Sequence, residues 1–194
     1  MKKSIKLLIR LLFSFLVLPF FIIYWLLTRV FNQDSVFAGA SQCFSLLPGQ
    51  LGNYFRLAFY QFAIKACGTD TVISFGALLS QQGTELGQGV YIGPQCNIGL
   101  CKIDANCLLG SGVHIMSGKN QHNFDDINIA LKDQGGIFTQ VTVGEDCWIG
   151  NGALIMANIG KKCIVAAGSV VINDVPAFAI VAGNPAKVIK MRND

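Results

Sequence analysis

VTVGEDCWIGNGALIMANIGKKCIVAAGSVVINDVPAFAIVAGNPAKVIKMR, residues 141–192, steps in sixes. Val143, Ile149 and Ile155 share one phase; after a corner shortened by two residues, Ile159, Val165 and Val171 resume it. A small residue follows most of these steps: Gly144, Gly150, Gly160 and Ala166. Two positions before the steps stand Val141, Cys147, Cys163 and Ser169, which also suit an inward face. A period of six matches neither a helix nor a hairpin. It marks a parallel β-helix, in which each hexad supplies one short strand and one corner, and three hexads close a triangular coil. Such a coil buries its apolar side chains only by stacking on the next. The stepping extends backward through Leu86, Ile92 and Ile98, then Ile103, Leu109 and Ile115, and it begins loosely at Thr71. The expected fold is therefore mainly β: a parallel β-helix over residues 71–183, a tail over 184–194, and a helical region over 1–70.

IGKKCIVAAGSVV (159–171) followed by VAGNPAKVI (181–189) resembles the left-handed parallel β-helix acyltransferases of the hexapeptide-repeat superfamily. The resemblance is to the sugar O-acetyltransferases of the galactoside and maltose type and their relatives in bacterial polysaccharide gene clusters. It covers roughly residues 71–192. What it implies is an acetyl-CoA-dependent O-acetyltransferase, a homotrimer with its sites between subunits, and no metal. It implies pantetheine lying along the coils beside Asn151 and the Ala167-Gly168-Ser169 turn, with Lys187 and Lys190 for the phosphates. Where the family often has Thr-Lys this chain has Ile172-Asn173, which removes one phosphate contact. Trp148 points outward from its strand, either as a wall of the acceptor site or as a subunit contact.

Residues 117–140, SGKNQHNFDDINIALKDQGGIFTQ, break the period. The excursion is too long for a corner, and a long loop extruded from a rigid solenoid usually carries function. It holds His122, and His114 lies just before it; the chain has two histidines. Transfer to a hydroxyl needs a general base, because an alcohol is a poor nucleophile until its proton leaves. Histidine suits that task at neutral pH. Strand alternation turns His114 outward beside inward Ile115. In the resembled family the catalytic histidine opens the extruded loop, which lands on His122, although the proline that commonly follows is missing. Gln121, Asn123, Asp125, Asp126 and Asn97 are the candidates to orient it.

The N-terminal stretch MKKSIKLLIRLLFSFLVLPFFIIYWLLTRVF is basic and then apolar. Residues 1–67 carry seven basic residues against Asp34 alone, a net of +6, so the remainder is −2 of the chain's total of +4. A basic, apolar N-terminus points to a membrane surface. The repeats lack a basic stripe with interleaved aromatics, which argues against nucleic acid. Three readings of the apolar run compete: a signal peptide, a spanning helix, and a helix bent at Pro19 that enters one leaflet and returns. The last keeps both ends on the cytoplasmic face, with acetyl-CoA. Residues 51–66 have helical periodicity, and Arg56 and Lys65 would reach lipid phosphates if that helix lay in the interface; otherwise it covers the open end of the β-helix.

The seven cysteines form no CxxC pair. Cys96, Cys107, Cys147 and Cys163 fall at inward small positions, and Cys101 does if its hexad is one residue short. Reduced core thiols are the plain reading, and they suit a reducing compartment. A γ-type carbonic anhydrase would need three histidines around zinc. The expectation is an O-acetyltransferase acting on a lipid-linked or growing polysaccharide at the cytoplasmic face of the inner membrane. The alternatives are a non-catalytic membrane-anchored scaffold and an acetyltransferase for a small soluble acceptor such as serine.

Overall fold

The computed structural model describes residues 2–193. Three helices come first: α1 (Lys2–Leu27), α2 (Gln33–Ser45) and α3 (Gly49–Ala63). Short strands follow at the six-residue step and stack in three parallel sheets. The first face carries β1 (Ala66–Cys67), β4 (Glu85–Leu86), β7 (Cys101–Ile103) and β10 (Val141–Val143), and continues as single bridges at Ile159 and Val175. The second carries β2 (Val72–Ile73), β5 (Tyr91–Ile92), β8 (Leu108–Leu109), β11 (Trp148–Ile149), β13 (Ile164–Val165) and β15 (Ala179–Gly183). The third carries β3 (Leu78–Leu79), β6 (Asn97–Ile98), β9 (His114–Ile115), β12 (Leu154–Ile155) and β14 (Val170–Val171). The first coil begins at Ala66. At the far end β16 (Ala186–Met191) turns back antiparallel along β15, so most of the 184–194 tail is a paired strand.

The register explains the period. Ile149 sits on Leu109 below and Val165 above, and Ile155 sits on Ile115 and Val171 in the same way. All six are at most 2% exposed. Fully burying one such side chain contributes about 1.5–3 kcal/mol, and every coil repeats the gain. Cys96, Cys101, Cys107, Cys147 and Cys163 fill the narrow inward corners, buried and unpaired. Each thiol except Cys101 also donates to a nearby carbonyl, as Cys107 does to Gly144. At the corner between the second and third faces the backbone turns through the left-handed region at Gly76, Gln95, Gly112, Gly152 and Gly168. That conformation favours glycine.

The near end of the solenoid is covered by α2 and α3. Ser41 Oγ accepts from the Leu79 N–H, and Asp34 accepts from the Gln82 N–H, so α2 takes the place of a coil beneath the third face. Arg56 on α3 is fully buried. Its guanidinium donates to the carbonyls of Ile73, Phe44 and Leu47 and to Asn53 Oδ1. Lys65 pairs with Glu85 at 2.8 Å. The idea that Arg56 reaches lipid phosphates is therefore overturned, and Lys65 has a carboxylate of its own chain as partner. Arg56 closes the ends of α2 and the first coil, and Lys65 dresses the solenoid's side.

Helix α1 corrects a second expectation. It runs without interruption through Pro19, so the chain does not turn back there. Phe13, Val17 and Tyr24 are buried; Phe13 packs on Tyr54 and Phe55 of α3 and Tyr24 on Phe59 of α3, while Phe20 meets Phe44 of α2. The Tyr24 hydroxyl meets the Gln82 side chain at one corner of the first coil. Arg10 borders Asp70 and Val72 at another corner of the same coil. Residues 10 and 24 of α1 thus both lie beside the first coil, so the helix runs alongside that coil rather than up the solenoid. Its outer face stays apolar and exposed: Leu8, Leu12, Phe15, Ile22, Ile23 and Leu26 are each more than half exposed. Among the described residues it is the one helix long and apolar enough to cross a membrane.

Candidate active site

Residues 117–140 leave the solenoid at the corner between the third and first faces. They form a ribbon of two arms tied together by backbone hydrogen bonds, with a short 3-10 turn at Leu131–Asp133. Thr139 N–H donates to Ser117, Ile137 N–H to Asn120, and Asn123 N–H to Gly135. Gly136 lies so close that an added Cβ would stand 1.9 Å from the Gln121 carbonyl oxygen, so glycine is required there. Gln134 plugs the tip, donating to the carbonyls of Asp126 and Ile129. Lys119 reaches Asn173 two coils above, at 3.3 Å, and Gln140 reaches Gly83 below. The ribbon is braced at its root on both sides.

His122 sits exposed on this ribbon, beside a hollow of about 350 Å³ shared with Asn123, Phe124, Leu131 and Lys132. None of the candidate orienting groups holds it. Asn123 donates to Gln134, Gln121 to Gly118, and Asp126 accepts from Asn128. Among the described residues its imidazole has no hydrogen-bond partner within the chain. Asn97 is engaged elsewhere: it pairs in register with His114 on the outer surface of the third face. His114, Asn97, Ser117, Gln121 and Leu154 line a separate cleft of about 390 Å³. Sequence reading turned His114 outward, as found, but it missed this cleft. The signal was available in the coil spacing, which puts Asn97 one coil below His114.

The residues assigned to acetyl-CoA gather along a different edge. Asn151 and Ala167 are exposed and stacked at the corner between the second and third faces, where Gly168 N–H donates to the Asn151 carbonyl at 2.8 Å. Asn151 Oδ1 also accepts from the Ser111 N–H, so its side chain fastens the coil below. Ser169 is buried, and its hydroxyl takes the Gly183 N–H; the turn offers a ligand backbone rather than that side chain. Trp148, 52% exposed, flanks the corner on the second face, in an outward row with Tyr91 and Leu108. Lys187 and Lys190 on β16 stand opposite Ala182 and Ile180, one strand beyond the second face, with Lys190 in the column of Trp148. One margin thus carries an aromatic, a small-residue corner that a chain-like ligand can approach, and two cations free of carboxylates among the described residues.

Within one chain, the margin and the ribbon occupy different corners of the triangle. Gly112 and Ser117 mark the two corners on one coil, five residues apart, or about 16 Å for extended chain. The His114 cleft lies on the face between them.

No protein-family model matches the sequence. A probable acetyltransferase of Mycobacterium tuberculosis is 40% identical over 73 residues, which are 37% of this chain and 24% of that protein. The match thus spans about a quarter of the curated relative. A maltose O-acetyltransferase from Clostridium difficile 630 superposes with a TM-score of 0.70 at 19% identity, covering 83% of this chain and 89% of that one. A galactoside acetyltransferase in complex with coenzyme A superposes at 0.59 and 18% identity, covering 85% of each chain. The likeness to the solved structures establishes the fold: a left-handed parallel β-helix of the kind the hexapeptide-repeat acetyltransferases build, preceded here by a long apolar helix.

Proposed function

We propose that the protein is an acetyl-CoA-dependent O-acetyltransferase, bound to the membrane through α1 and acting on a sugar hydroxyl of a lipid-linked or growing polysaccharide. The observation that carries the reading is the pairing of two built edges on one solenoid. One is the small-residue margin at Asn151, Ala167 and Gly168, with Lys187 and Lys190 one strand beyond the second face. The other is the braced ribbon that holds His122 out from the coils. The named relatives supply the chemistry: one is a probable acetyltransferase, and another was solved with coenzyme A.

In this reading His122 takes the acceptor's hydroxyl proton as the oxygen attacks the thioester carbonyl. The carbon–sulfur bond then breaks, the acetyl group stays on the sugar oxygen, and the departing thiolate takes the proton. No covalent acyl-enzyme is needed, and none of the chain's own residues has to act as a nucleophile. Because the two edges lie on different corners of one coil, a homotrimer is the natural assembly: a three-fold ring sets the ribbon of one subunit against the margin of its neighbour. It also gives His122 access to an orienting partner that its own chain does not provide. The exposed Phe124, Ile127, Ile137 and Phe138 of the ribbon suit such a contact.

The exposed apolar face of α1 favours a lipid-linked acceptor over a soluble one and favours the cytoplasmic face of a bacterial inner membrane, where acetyl-CoA is found. The test is incubation of the purified protein with labelled acetyl-CoA and extracted lipid-linked glycans, followed by identification of the labelled product. Label on a glycan hydroxyl is expected. Label on free serine or on no acceptor at all would favour the soluble-acceptor or scaffold alternatives.

A further inference from the structure

Where the N-terminal half of α1 meets the start of α3 and the first coil, a cleft of about 150 Å³ opens. That is room for about five waters. Lys6, Arg10, Gln50, Asn53, Tyr54 and Asp70 border it. Lys6 and Arg10 are one helical turn apart on the same face of α1. Among the described residues neither makes an ion pair or a side-chain hydrogen bond to protein. Asn53 is already committed on one side: its carbonyl oxygen takes Arg56 Nη2 at 2.6 Å, which leaves its NH₂ group to donate. Asp70, the one carboxylate present, spends Oδ1 on the Gly89 N–H at 2.8 Å, and its single charge against two cations leaves the lining net positive. The start of α3 carries no side-chain cap and no acidic residue in its first turn. The cleft therefore combines two unpaired cations with amide donors at the positive end of a helix, and this chemistry selects a phosphate oxygen cluster.

The position of the cleft points to the source of that phosphate. α1 runs alongside the first coil with its outer face apolar, and the sequence holds no acidic residue before Asp34. With its inner face held on α3, α1 can bury its apolar outer face by lying along the membrane surface, which leaves Lys6 and Arg10 at headgroup level. We propose that α1 lies flat in one leaflet and that the Lys6–Arg10 cleft binds the phosphate of a lipid headgroup, fixing the helical platform to the membrane. This rests on the membrane-bound reading above, but not on catalysis.

The test uses the full chain and a Lys6→Gln/Arg10→Gln variant, purified in detergent. Each protein is floated with phosphatidylcholine vesicles, and lipid retention is then read by native mass spectrometry with phosphatidylglycerol, a polyprenyl diphosphate or inorganic phosphate added. Both proteins should float, because the apolar face of α1 is unchanged. The wild type should retain one phospholipid per chain, and the variant should hold it more weakly, by about fivefold per lost cation and roughly 25-fold in all. Preferential, variant-sensitive retention of phosphatidylglycerol confirms the headgroup as occupant. If the polyprenyl diphosphate alone shows that sensitivity, or inorganic phosphate alone, the cleft serves the acceptor's carrier or a free ion and the headgroup proposal is overturned. Equal retention by both proteins overturns the cleft as a phosphate site. If neither protein floats, the membrane reading of α1 fails instead.

Discussion

Replacing Arg56 with Met should loosen the cap of the solenoid far more than a surface change would. The side chain is buried, and its guanidinium serves three backbone carbonyls, of which those of Ile73 and Phe44 are bonded in fully buried surroundings. Burial lowers the affinity of this guanidinium for its proton, yet arginine remains charged at any ordinary pH. Methionine keeps most of the volume but donates nothing. A buried carbonyl left without a partner costs about 1–3 kcal/mol; that falls on Ile73, whereas the Phe44 carbonyl keeps the Leu47 N–H at 3.3 Å, so the loss is about 1–3 kcal/mol. The Leu47 carbonyl is only partly buried and can recover water, so it adds little. For a chain of this size 1 kcal/mol moves a thermal midpoint by about 2–4 °C, which predicts a fall of roughly 2–12 °C. Lysine at the same position keeps the charge but cannot span three carbonyls, and should recover only part of the loss. The assay is thermal unfolding in detergent, joined to hydrogen exchange. Faster exchange should concentrate in α2, α3 and the first coil and leave β11 to β14 protected. A midpoint within 2 °C of wild type, with unchanged exchange in the cap, would refute the role given to Arg56.

Three further outcomes follow from the solenoid itself. Native thiol labelling should modify Cys43 readily and spare Cys67 and Cys101, whose thiols burial pushes up to about 12; mass spectrometry counts the adducts, and rapid labelling of Cys101 would contradict the core. Gly150→Ala should destabilise the upper coils, because the new Cβ would sit 2.4 Å from the Ala167 backbone nitrogen; a wild-type melting profile would contradict the tight coil contact. The Lys65 ammonium holds the Glu85 carboxyl below its ordinary 4.5. A depressed carboxylate adds stability above its unfolded value, and the gain is lost as pH falls through the lower folded value. Glu85→Gln should therefore lower stability slightly at neutral pH and make no difference in strong acid, as denaturant titrations at several pH values will read.

The repeat was legible because a period of six serves only one architecture: each step from Leu86 to Val171 had to point inward, and each does. The inward cysteines were legible for the same reason. The ribbon was legible as an interruption, and His122 as its conspicuous residue. What the sequence obscured has identifiable causes. From Leu11 onward α1 is apolar on every side, so no periodicity distinguishes the face on α3 from the outer one, and Pro19 looked like a break although the helix carries it. Arg56 resembles any surface cation in a helix, because its partners are backbone carbonyls from Phe44 to Ile73 that no side-chain pattern announces. The His114 cleft depends on which residue lies one coil below, and that requires the coil count around the short third hexad near Cys101. No orienting group for His122 could be read from the sequence, and among the described residues no side chain of its own chain bonds it.

The most direct measurement is acetyl transfer by His122→Ala and His114→Ala, each assayed beside wild type, with coenzyme A affinity followed by calorimetry. The account predicts that His122→Ala folds and binds coenzyme A as wild type does, since the margin at Asn151, Ala167 and Gly168 is untouched and an exposed side chain leaves no cavity. Its transfer rate should fall by about 10²–10⁴-fold, the usual contribution of a general base. His114→Ala should lose much less, through contacts in its cleft. Full activity in His122→Ala with a dead His114→Ala would move the base to the third face, and wild-type turnover in both would contradict histidine-based transfer altogether.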